Sequence, residues 1–217
     1  MNAIVTAQFP RAPRRTHPGL GENPPSRDTT ALKHWCLARA DEWYSRQEPG
    51  AARDFLAHAA ALDPGDEDVW LALGAVHFAL GEYTNAGRAF VRAGRLRPTD
   101  PRVFFHLGMT HERLGDDAHA EALYRHALRL QPDNPVVLAR LGGFLFDRRR
   151  YAEARDCLER ALAEETSDLA LVTRLGECCR QMGDPAAARA CFEHVLKQDP
   201  GNADARDALA ALPAAQG

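Results

Sequence analysis

Leu-Gly pairs stand at residues 73–74, 107–108, 141–142 and 175–176, each 34 residues after the last. Ala86, Ala120, Ala154 and Ala188 return at the same interval. Pro64, Pro98, Pro132 and Pro200 keep the phase, with Thr166 in the one slot that lacks proline. A large residue (Trp70, Phe104, Leu138, Val172) comes three before each Leu-Gly, and another (Phe90, Tyr124, Leu158, Phe192) comes four after each Ala. A fixed period of this length means that one short supersecondary unit is copied along the chain. Each copy buries its apolar face only by stacking on its neighbour.

The period divides the chain into units 33–66, 67–100, 101–134, 135–168 and 169–202; the first keeps Ala40, Trp43, Ala52, Leu56, Ala59 and Pro64 but has no Leu-Gly. With each unit numbered 1 to 34, positions 4, 7, 8 and 11 form one stripe of a 3.6-residue helix, and 20, 24 and 27 form one stripe of a second. Gly81, Gly115 and Gly183 fall between the two, where glycine accepts the left-handed conformation that ends a helix. Gly at position 8 and Ala at position 20 remove bulk where the helices cross. The fourth unit has "DRRRY", with Arg148, Arg149 and Arg150 at its turn in place of Gly, which reads as a solvated turn or as a contact for an acidic partner. Gly87 and Gly94 mark the second helix of unit 2 as locally weak, since each costs about 1 kcal/mol relative to Ala in a helix interior.

Taken together, W-x2-L-G-x2-Y, then A-x3-F, then Pro resembles the tetratricopeptide repeat (TPR). The resemblance implies an all-α superhelical solenoid of five helix-turn-helix repeats over residues 29–212. The stretch "ADARDALAAL", 203–212, reads as a polar-faced capping helix over the fifth repeat. Residues 1–28, rich in Pro, Arg and Gly and without a period, are expected to be a disordered tail, and 213–217 a disordered end. The tail reads as a solvated leader, a misassigned start, or a short basic docking segment.

Composition narrows the function classes. The net charge of -3 offers no basic field for phosphates, so a general nucleic-acid binder is not expected. No apolar run approaches the roughly 20 residues that cross a bilayer. At the N-terminus the arginines follow a short "AIV" instead of preceding a long apolar core, unlike a secretory signal. The five cysteines, Cys36, Cys157, Cys178, Cys179 and Cys191, are odd in number and unpaired in spacing, which suits reduced thiols in a cytoplasm.

Catalytic constellations are missing. There is no G-x-S-x-G, P-loop or G-x-G-x-x-G, and "HERLG" from His111 lacks the second His that a zinc helix requires. No catalytic, cofactor-binding or metal-ligating residue is therefore assigned. His77 and His111, both at position 11, are expected to be buried, hydrogen-bonded core residues. His58, His126 and His194 at position 26 alternate with Arg92 and Arg160, as on a solvated edge. Cys178 and Cys179 read as packing residues, and Cys157 and Cys191, both at position 23, as neighbours that could pair.

By the TPR resemblance, positions 2, 5, 9, 12 and 13 line a concave groove. The expected binding residues are Leu37 and Tyr44 in unit 1, Leu71, Ala75 and Phe78 in unit 2, and Arg102, Phe105 and Met109 in unit 3. Ala139, Gly143 and Phe146 in unit 4 and Arg180 in unit 5 complete the set. Positions 5 and 9 lack the Lys, Asn and Arg with which chaperone-binding TPR domains hold a C-terminal carboxylate, so an exposed apolar lining is expected instead. It fits a non-enzymatic adaptor or chaperone that holds an apolar or amphipathic segment of another protein, unless the chain's own tail or a second copy fills the groove. Units 1 to 3, above all "FVRAGRLRPTDPRVFFHLG", also resemble the small TPR chaperones of bacterial type III secretion, although two further repeats follow here and the N-terminus is Pro-rich. The alternatives are a self-associating assembly scaffold using its outer ridges, and an accessory module of a neighbouring enzyme.

Overall fold

Eleven α-helices make up the described residues of the computed structural model, 28–164 and 168–213. In chain order they are α1 (Thr29–Ser45), α2 (Pro49–Leu62), α3 (Glu67–Ala79), α4 (Tyr83–Leu96), α5 (Pro101–Arg113), α6 (Asp117–Leu130), α7 (Pro135–Asp147), α8 (Tyr151–Glu164), α9 (Leu169–Gln181), α10 (Pro185–Gln198) and α11 (Ala203–Ala210). The expectation of disorder at the two ends falls almost wholly outside the described residues. Asp28 and Pro213 are the exceptions, and both are engaged: Asp28 accepts a hydrogen bond from the Thr30 N–H and caps α1, and the Pro213 carbonyl accepts one from Arg189 at 2.9 Å.

Three devices recur among the helix pairs. The first is a side-chain cap at position 34, additional to the expected pattern. Asp66, Asp100, Asn134, Asp168 and Asn202 each accept from a backbone N–H in the first turn of the helix that follows. A free helix start has four unpaired N–H groups, and a short Asp or Asn oxygen satisfies one or two of them. The second device is the turn at position 15, where the backbone is left-handed in all five repeats. Gly81, Gly115 and Gly183 have φ of 78°, 77° and 78°, and the non-glycine residues Gln47 and Arg149 are held at 65° and 60°. The third is the crossing of position 8 over position 24. A Cβ on Gly74 would stand 2.5 Å from the Phe90 ring, and one on Gly108 2.7 Å from Tyr124.

The chain forms two compact units, meeting in sequence at Leu130 and Gln131. In the first, α1 packs on α2, α3 on α4 and α5 on α6, while α2 and α4 also pack on α3 and α5 respectively. Cys36, Ala40, Ala52, Leu56, Val69, Leu73 and Val76 belong to one core there. In the second, α7 pairs with α8 and α9 with α10, α8 packs on α9, and α11 lies on α10. Ala205 and Leu212 close that unit by joining the core of Phe192, Val195, Val172 and Cys179. Position 20 is closed throughout, since Ala52, Ala86, Ala120, Ala154 and Ala188 are all 0% exposed.

Candidate functional site

The first helix of each pair is more enclosed than its stripe suggests. In the first unit Leu71, Phe78, Phe105 and Met109 are all buried, Phe105 to 1% exposure. This corrects the expectation that they line an open apolar face. The stripe at positions 4, 7, 8 and 11 counts only the partner helix in the same repeat. In the stack α3 also rests on α2 and touches α5, so a first helix is covered on several sides at once. Leu37, Tyr44, Ala75 and Arg102 remain partly exposed.

What the groove aromatics would offer a partner is in part already taken. The guanidinium of Arg113 stands 5.0 Å from the Tyr83 ring centre and 5.9 Å from that of Phe78, and the two rings meet edge to face. Arg102 is also committed: it holds Asp100 with Nε and one terminal nitrogen at 2.8 and 2.6 Å, and reaches Asp68, one period earlier, at 3.1 Å.

The second unit uses the same device. Ala139 and Phe146 are partly exposed, but Gly143 is buried. A Cβ at Gly143 would lie 2.7 Å from a terminal nitrogen of Arg174, whose guanidinium sits 5.9 Å from the Phe146 ring centre. Gly143 therefore makes room for the chain's own arginine. Arg180 is exposed and bound through two nitrogens to Glu177 at 2.9 and 2.6 Å.

The histidines divide. Both position-11 residues are hydrogen-bonded to the acid at position 16, His77 to Glu82 at 2.5 Å and His111 to Asp116 at 3.1 Å. Neither is fully buried, which corrects that part of the expectation: their side chains keep 15% and 32% of their exposure. His106, also partly exposed, stacks 5.1 Å from Phe90 at 10°, and its pKa is pushed down to about 4, by burial of the ring first and then by Arg102. All five cysteines are free thiols, and burial pushes Cys178 up to about 12 and Cys191 up to about 11, which removes thiolate reactivity at neutral pH.

Two features lay outside the sequence reading. Glu67 is 5% exposed, with Arg97 at 2.6 Å, and burial followed by the neighbouring Asp100 raises its carboxyl to about 7. On α4, Arg88, Arg92 and Arg95 lie at i, i+4 and i+7, so they share one helix face. Surface clefts of about 390 Å³ lie on both sides of Arg88 and Arg92, one reaching Trp70 and His77, the other Leu107 and His111. Arg92 lies 5.8 Å from the Trp70 ring centre, and among the described residues none of the three forms an ion pair. The four- and three-residue spacing of these arginines is the signal the sequence offers.

The family described as the cilia and flagella-associated protein 70 C-terminal domain, a TPR family, matches residues 27–212. The chain belongs to this family. Its TPR helices also superpose on solved TPR structures. PilF of Pseudomonas aeruginosa gives a TM-score of 0.71 at 20% identity over 82% of this chain and 81% of that one. PilW, a type IV pilus biogenesis factor, gives 0.70 at 19% identity, with 82% and 86% covered. YrrB, described as a TPR protein with an unusual peptide-binding site, gives 0.65 at 18% identity, with 83% and 91% covered. At these identities the likeness is one of fold. No curated protein sequence matches. TPR proteins bind peptide or protein partners, and among the described residues no helix is long and apolar enough to cross a membrane.

Proposed function

We propose that this TPR domain is a non-enzymatic adaptor that holds an amphipathic segment of another protein against the first helices of its repeats. The observation that carries the reading is the selective exposure of that face in the first unit. Leu37, Tyr44 and Ala75 stay partly open there, while Leu71, Phe78, Phe105 and Met109 are closed into the core. The exposed Arg113, already poised over Phe78 and Tyr83, adds a cation beside that surface. A partner segment with an apolar stripe and an acidic residue beside it matches both features, which revises a purely apolar occupant to a mixed one. The peptide-binding site ascribed to YrrB, on a similar fold, supports a groove of this kind.

The test is selection of binding peptides from a displayed library of amphipathic segments. Peptides chosen on the native protein should lose binding on an Ala75→Arg or a Leu37→Glu variant that melts like the native protein. They should keep it on a His58→Ala variant, whose change lies on a second helix. Equal binding to all three variants would place recognition on another face. A holding chaperone for secretion would additionally keep its partner from aggregating, which light scattering of the complex reads directly.

The α4 arginines support a second reading, an assembly scaffold that contacts an acidic surface through its outer ridge. Their shared face, their lack of ion pairs among the described residues and the clefts beside them favour it. Reversing the charge of Arg88, Arg92 and Arg95 together should abolish binding of acidic peptides and leave the peptides of the first reading untouched.

A further inference from the structure

The turn between α5 and α6 gathers three side chains that can ligate a metal. Gly115, at φ 77°, reverses the chain after α5, and Asp116 stands at the start of α6. The reversal brings residues 111 and 119 to one point. The Nδ1 of His111 lies 3.1 Å, and the Nδ1 of His119 2.8 Å, from the same Oδ2 of Asp116. The two imidazole rings are 5.4 Å apart. The ligand atoms of these three residues all lie within 4.8 Å of one another. The other carboxylate oxygen, Oδ1, accepts the backbone N–H of His119 at 3.3 Å, which caps the helix, and also lies 2.9 Å from the His119 Nδ1. Oδ2 faces both rings.

Repeat 2 provides an internal comparison. There His77 and Glu82 occupy the same two slots and pair at 2.5 Å, but the third slot is Asn85, and Glu82 is also held by Arg53. The corresponding residues of repeat 5 are Cys179, Asp184 and Ala187, and those of repeat 4 are Leu145, Arg150 and Glu153. The second histidine at position 19 is thus peculiar to repeat 3, and the helix cap does not require it.

We propose that His111, Asp116 and His119 form a three-ligand site for a divalent ion of the zinc class, with zinc itself as the natural occupant. Two imidazoles and one carboxylate suit zinc, cobalt and nickel, whereas calcium and magnesium take sets of oxygens. Zinc bonds to nitrogen and oxygen are about 2.0–2.2 Å long, so tetrahedral donors sit roughly 3.0–3.5 Å apart. The two nitrogen–oxygen separations at Asp116 are already close to that. Each ring binds the ion as the neutral tautomer with its proton on Nε2. Side-chain exposures of 32%, 39% and 71% leave the fourth position to water or to a donor from a partner. The proposal is independent of where a peptide binds.

The experiment is titration of the intact chain with zinc followed by calorimetry, and with cobalt followed by visible absorption. One ion per chain should bind, and cobalt should show the intense d–d bands of a four- or five-coordinate site. His111→Asn and His119→Asn should each weaken binding by at least about tenfold, the lower end of the loss known for groups one shell further out. Neither should shift the metal-free melt by more than a few degrees, since both side chains are partly or fully exposed. His77→Asn should leave binding unchanged. Absence of a single bound ion overturns the proposal. So does full affinity in the His111→Asn/His119→Asn double variant, which would put the ion on thiols or other histidines, and so does an equal loss in His77→Asn.

Discussion

The ring of Tyr124 occupies the space that a Cβ on Gly108 would need, with two ring carbons 2.7 Å from that position. The same arrangement joins Gly74 to Phe90, Gly142 to Leu158 and Gly176 to Phe192, at 2.5, 2.9 and 2.8 Å. The Leu-Gly pairs repeat because each second helix drives a large side chain into the backbone of its first. The glycine is required by space, and the large side chain at position 24 fills the space it leaves.

Gly108→Ala should therefore destabilise the domain by roughly 1–3 kcal/mol, the usual range for overpacking a rigid core. Gly87 is a different case, because a Cβ there meets only the Thr110 methyl at 3.7 Å, an ordinary contact. Gly87→Ala should be neutral or gain up to about 1 kcal/mol from helix propensity. Gly94→Ala should gain nothing, since Val103 lies 3.1 Å from its added carbon. Of the two glycines in α4, one is a weak point and the other a packing device. Urea denaturation of the three variants measures the ordering.

Arg149 sits at φ 60° in the turn slot that three other repeats fill with glycine. An L-residue in that region costs about 1–2 kcal/mol, and glycine recovers this less its greater unfolded entropy. Arg149→Gly should stabilise the protein by about 0.5–1 kcal/mol, and Gly115→Ala should destabilise it by a similar amount. Thermal melts of the two variants should move in opposite directions.

Glu67 has a raised pKa, about 7 against an ordinary 4.5, because burial and Asp100 outweigh the charge of Arg97. The folded state then binds this proton more tightly than the unfolded state. Its contribution is fully present below 4.5, declines as pH rises towards 7, and is level above that. Asp100 runs the other way. Burial raises it, but hydrogen bonds from Arg102 and Glu67 more than compensate and hold it below its ordinary 3.8, so its contribution is lost only in stronger acid. Glu67→Gln keeps the shape of the side chain and removes the titration. Denaturation midpoints at about pH 5 and pH 7.5 should differ in the native protein and converge in the variant.

Phe105→Glu should unfold the first unit as effectively as Leu107→Glu, because the two residues are 1% and 8% exposed. A buried, unpaired carboxylate costs several kcal/mol. Circular dichroism should show loss of cooperative melting in both, whereas Ala75→Arg should melt close to the native protein.

The helices, their pairing and their turns were legible in the sequence because each rests on neighbours a few residues away. A 34-residue phase, a turn glycine and a proline after the second helix act locally. The cap at position 34 was equally local, as Asp66, Asp100, Asn134, Asp168 and Asn202 show, and it was written in the same period. Tertiary structure alone decided which side of the first helix stays open. Phe105 and Met109 fall off the stripe that faces their own partner helix, yet they are buried. A periodicity records one packing partner, whereas α3 has α2, α4 and α5 around it. The same holds for charge. Arg113 over Phe78 and Arg174 against Gly143 join residues of different repeats, and no local spacing reports a cation arriving from 31 or 35 positions away.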